Sequence, residues 1–120
     1  MAVDRLVSRV EYWDGGRWAR PAKPDPAREA RPPAEPDRAP GPAVRAGASR
    51  ADLVFALAQY LADAAADAEG RPRRLVPRLE QDANLPDQLR VLAADLLLAP
   101  ASEAVLSEAV DAVRATGRLL

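Results

Sequence analysis

The sequence predicts a mainly α-helical protein. A small three- to four-helix bundle is expected over residues ~49–117, preceded by an N-terminal β-hairpin and a disordered proline-rich linker. Three observations carry this expectation. Apolar residues recur at helical spacing after residue 52, eight of the twelve prolines fall between residues 21 and 47, and the alternating pattern of a strand is confined to the first twenty residues.

The first segment, residues 1–20, is read as the hairpin module. In "LVSRVEYW", Leu6, Ser8, Val10 and Tyr12 alternate with Val7, Arg9, Glu11 and Trp13. "DGG" supplies residues that tolerate a tight turn, and "RWAR" is a short return strand stopped by Pro21. Both tryptophans of the chain lie here. Two strands alone cannot cover such rings, so Tyr12, Trp13 and Trp18 are candidates for binding a partner.

Tyr12, Trp13, Asp14, Gly15 and Trp18 resemble the Tyr-Trp-Asp-Gly-x-x-Trp signature of a short actinobacterial domain of unknown function, found near membrane segments or appended to larger proteins. The Gly-Trp-Tyr-x-Asp-Pro stretch that precedes the signature in that family is replaced here by "VDRLVSRV", and the likeness covers under a tenth of the chain. The resemblance implies no enzymatic activity. The abundance of alanine, arginine and proline, with Lys23 the single lysine, suits a high-GC coding sequence of actinobacterial kind.

Residues 21–47 are read as a disordered linker with polyproline-II character. "PAKP" and "PAEP" match the spacing of SH3-type ligands, but a plain spacer is the preferred reading, because such matches arise freely in proline-rich stretches.

Residues 48–120 are read as the helical domain. Ser49 suits an N-cap with Asp52 three residues on, and Leu53, Val54, Leu57, Tyr60, Leu61, Ala64, Ala65 and Ala68 form one stripe that ends at Gly70 and Pro72. Phe55 lies off that stripe and is the fourth candidate contact residue. Pro77 is placed to open a short turn carrying Leu79. A second long helix starts near Pro86 with a stripe of Leu89, Leu92, Ala93, Leu96 and Ala99. Val91, Leu97 and Leu98 make it apolar over most of its circumference, which marks it as the central, most buried helix and, with Phe55, as a surface for self-association. A third helix begins around Ser102, with Val105, Leu106, Ala109, Val110 and Val113 inward and Gly117 just past its end.

Composition narrows the chemistry. The chain has no cysteine and no histidine, which removes thiolate chemistry, Cys-based zinc sites and the commonest general base. The acid pairs Asp63/Asp67 and Glu108/Asp111 suit either a carboxylate dyad or a solvated helix face, and the solvated face is preferred. No catalytic, cofactor-binding or metal-binding residue is assigned, and the protein is read as non-enzymatic. The net charge of −1 gives the whole chain no nucleic-acid character. The densest basic cluster, Arg71, Arg73 and Arg74 with Arg78, either contacts nucleic acid in a regulator or covers the carboxyl end of the preceding helix, and the second is preferred. No apolar run is long enough to span a membrane, and "MAVDRLVSRVEYW" lacks the continuous apolar stretch of a secretory signal, so a cytoplasmic location is expected. The resulting expectation is a small adaptor or assembly protein that binds a protein partner or itself, with nucleic-acid regulation as the alternative.

Overall fold

The computed structural model describes residues 2–23 and 48–120. These residues form five α-helices: α1 (Ala2–Val10), α2 (Gly15–Ala19), α3 (Arg50–Glu69), α4 (Leu85–Leu98) and α5 (Glu103–Leu119). A 3₁₀ turn, Asp82–Asn84, leads into α4. The linker reading, with its two PxxP matches, falls largely on residues 24–47, outside the described residues.

The expected N-terminal β-hairpin is not formed, and no β-strand occurs among the described residues. Two periods coexist in "VDRLVSRV", and burial selects between them. Alternation splits the apolar residues between two faces. Helical spacing brings Val3, Leu6, Val7 and Val10 onto one face, and all four are buried. "DGG" is likewise a helix start rather than a hairpin turn. Asp14 is extended and accepts a hydrogen bond from the Arg17 amide at 2.8 Å, as an N-cap does. Neither Gly15 nor Gly16 has the positive φ that a tight hairpin turn requires.

The helical bundle follows its sequence signals closely. Ser49 and Asp52 form a reciprocal capping box on α3, and Gly70 ends that helix in the left-handed conformation at φ 69°. Ser102 caps α5 through the Val105 amide. Three details differ. Residues 71–81 form no helix, so Pro77 opens no turn. Gly117 lies inside α5 rather than past its end, facing Leu6 of α1. The most buried helix is α3, not α4. Leu53, Val54, Leu57 and Leu61 of α3 are buried, whereas α4 leaves Val91, Leu97 and Leu98 exposed.

One core holds these elements together. Helix α3 packs on α4 and α5, α1 lies across α4 and α5, and α2 rests on α3. Val7, Val10 and Trp18 therefore join Leu57, Leu61 and Leu89 in a single apolar cluster. Backbone bonds from Ala22 to Ala48 (2.9 Å), from Arg50 to Arg20 (2.8 Å) and from Lys23 to Leu119 (2.8 Å) tie the chain on either side of residues 24–47 to the same bundle. No helix among the described residues is long and apolar enough to cross a membrane.

Candidate functional site

The four residues singled out as partner contacts go to three different environments. Trp18 is 1% exposed and belongs to the core. Its indole N–H is buried and finds no hydrogen-bond partner among the described residues. Trp13 is half-buried and meets Trp18 edge-on, with ring centroids 5.1 Å apart at 66°. The guanidinium groups of Arg17 and Arg50 lie 5.5 and 5.0 Å from the Trp13 ring, so its π-face is already used by cations of the same chain. Phe55 is half-buried beneath the Arg78 guanidinium at 4.9 Å. Of the four, Tyr12 alone is open to solvent. The aromatic stretch thus anchors the N-terminal helices to α3 and presents one ring outward.

The arginines at 71–78 are mostly engaged by neighbouring acids. Arg73 binds Asp67 at two points, 2.9 and 2.6 Å, and this hydrogen bonding holds the Asp67 carboxyl below the usual carboxylate range. Arg71 pairs with Glu69, and Arg78 reaches Asp52 at 3.2 Å and Asp82 at 3.4 Å. Arg74 forms no ion pair with a described residue. Three of the four cations of the nucleic-acid alternative are therefore locally neutralised. The second acid pair, Glu108 and Asp111, faces Tyr60, whose phenol is pushed above its ordinary value by burial and then by these two carboxylates.

A different surface stands out. Residues 71–81 run without secondary structure along α3 and α4, held by side-chain amides. Gln59 of α3 donates to the Arg74 carbonyl at 3.0 Å and accepts from the Val76 amide at 2.8 Å, in the manner of a neighbouring strand. Gln88 of α4 donates to the Pro77 carbonyl at 3.0 Å. Between this strap and the two helices lies an open groove of about 480 Å³. Leu75, Leu79 and Val91 line it, 91%, 40% and 60% exposed. Arg74 and Asp95 are at the same groove, and neither is in an ion pair with a described residue. The Gln88 Oε1 atom in its wall is buried and accepts no hydrogen bond from a described residue.

Along α4 the groove continues into Val91, Ala94 and Leu98, which share one exposed face at i, i+3, i+7 spacing. Part of this surface was visible in the sequence, because a helix apolar on nearly all sides in so small a bundle cannot bury every side. Leu75 carried no such signal: between arginines and prolines it belongs to no period. The arrangement suits the docking of an apolar surface that brings hydrogen-bond donors.

No family model matches the chain, and no curated protein or solved structure shows significant similarity to it.

Proposed function

We infer that this chain is a small non-enzymatic interaction protein that docks through α4 and the adjoining strap, and that the first partner of this surface is a second copy of the same chain. The observation that carries the reading is the exposure of Leu75 and Val91 on one groove, and of Leu98 two turns along α4 from Val91, on a protein whose other large apolar side chains are mostly covered. Ala94, between Val91 and Leu98, leaves room for two α4 helices to approach closely. The charges favour self-pairing. Arg74 and Asp95 line one groove without ion-pair partners among the described residues, so a two-fold arrangement opposes Arg74 of one copy to Asp95 of the other, twice. The lack of histidine and cysteine in the full sequence is consistent with a binding role.

Sedimentation velocity over a concentration series tests the reading. The wild-type chain is expected to dimerise reversibly, and Val91→Asp with Leu98→Asp to weaken the dimer at least about tenfold, or about 1.4 kcal/mol. Arg74→Glu and Asp95→Arg should each weaken it, and the double exchange should restore it. A wild-type protein that stays monomeric at every concentration refutes self-docking.

A further inference from the structure

We propose a second, separate site: the groove between α1 and α5 binds a phosphoryl-bearing anion of compact size, such as a diphosphate group. Arg5 and Arg9 of α1 and Arg114 and Arg118 of α5 line this open groove of about 530 Å³. That volume falls in the range of small-molecule sites. The two arginine pairs are more than a hundred positions apart in sequence and meet only because α1 packs on α5.

Among the described residues, no acid lines the groove. Its remaining lining is Leu6, Val113 and Gly117, so the floor is apolar. Arg5, Arg114 and Arg118 make no ion pair with a described residue. Arg9 has one contact, a hydrogen bond from its Nη1 to the Gly117 carbonyl at 2.9 Å. That bond holds the guanidinium in the groove wall, and Arg9 makes no ion pair with a described residue. The carboxyl end of α5 accounts for part of this cluster, since cations suit the last turn of a helix. It contributes only about half a negative charge, against four full positive ones. Nor does it explain Arg5, which lies midway along α1, or Arg114, which precedes the last turn of α5.

The chemistry of the ligand follows from the number and kind of cations. A guanidinium donates two parallel N–H bonds and so matches the paired oxygens of a phosphoryl group. One phosphoryl monoester carries about two negative charges at neutral pH, so two phosphoryl groups offset four arginines. The four line one groove as an i, i+4 pair on each of two helices, and no aromatic side chain is among its described lining for base stacking. A compact anion therefore fits better than a nucleic-acid backbone.

Calorimetric titration of the full chain with inorganic pyrophosphate tests the proposal. Binding is expected for the wild type, and Arg5→Gln with Arg114→Gln should weaken it at least tenfold. Arg73→Gln, in the other basic cluster, should change it less than twofold. Circular dichroism checks that each variant folds, and if the double variant does not, the exposed single change Arg118→Gln serves the same comparison. Vesicles of phosphatidylcholine with and without phosphatidylinositol bisphosphate form the second arm. Binding that needs the phosphorylated lipid and is lost in Arg5→Gln/Arg114→Gln assigns the phosphoryl group to a headgroup, and pyrophosphate binding without vesicle binding assigns it to a soluble ligand. Failure of both probes, binding indifferent to the Arg5 and Arg114 changes, or binding of short duplex DNA alone would overturn the proposal. Arg5, Arg114 and Arg118 lie outside the α4 surface, so loss of anion binding with an intact dimer separates this site from the docking face.

Discussion

The N-terminal segment 2–19 and the strap 71–81 are both short, yet they have opposite fates. The N-terminal segment has the alternation of a ribbon in need of a partner, and it is core: Val7, Val10 and Trp18 are almost wholly covered. The strap has the composition of local cover for a helix end, yet it leaves Leu75 almost fully in water. Backbone hydrogen bonding separates them. Residues 2–10 can satisfy their own amides as a helix and so can carry side chains inward. Pro72 and Pro77 deny the strap that option, and with no strand beside it, it stays at the surface, pinned by Gln59 and Gln88.

The largest test of this contrast is Trp18→Ala. It should cost about 3–5 kcal/mol, the range for deleting a buried large aromatic, as a lowered denaturation midpoint. A loss under about 1 kcal/mol would mean the segment is not part of the core. Next comes Gln59→Ala, which removes both bonds to the strap backbone. It should cost about 1–2 kcal/mol and speed hydrogen exchange at the Val76 amide while leaving the middle of α3 protected.

A smaller effect is expected from acid. Desolvation pushes the Asp52 carboxyl up, but hydrogen bonds from Ser49 and the Arg78 guanidinium more than offset it and leave it below its ordinary value. A depressed carboxylate stabilises the fold above its unfolded value of about 3.9 and loses that contribution as the pH falls through its folded value. Both side chains are partly exposed, so the loss should be well under about 1 kcal/mol. It should appear below about pH 4 as loosening of the strap where Arg78 holds it, and Asp52→Asn should abolish the dependence. The smallest effect on stability belongs to Leu75→Ser, within about 0.5 kcal/mol, because the side chain is already in water. Its readout is weaker self-association.

Much of the bundle was legible in the sequence because its signals are local. Ser49 with Asp52, Gly70, Pro86 and Ser102 each mark a boundary through chemistry within four residues, and the α3 stripe fixes which face turns inward. What was not legible depends on choices made at a distance. "VDRLVSRV" satisfies both a strand and a helix pattern, and the surface of α4 and α5 decides between them. Trp18 reads as exposed until α3 is placed beside it. The strap's reliance on Gln59 joins residues 15 and 17 positions apart. The arginines contrast in the same way. Arg71, Arg73 and Arg78 are close in sequence and quenched by Glu69, Asp67 and Asp52, whereas Arg5, Arg9, Arg114 and Arg118 are scattered and share one groove with no acid among its described lining.

The backbone bonds that join Ala22 to Ala48 and Arg20 to Arg50 have a topological consequence. The stretches on either side of residues 24–47 lie side by side, hydrogen-bonded to each other at the edge of the same core. Residues 2–23 and 48–120 are thus complementary pieces of one interior. A nick within 24–47 should leave two fragments that hold each other, with the shorter one supplying the side chains that the longer one lacks. Fragment complementation, rather than the trimming of an appendage, is the behaviour this connectivity implies.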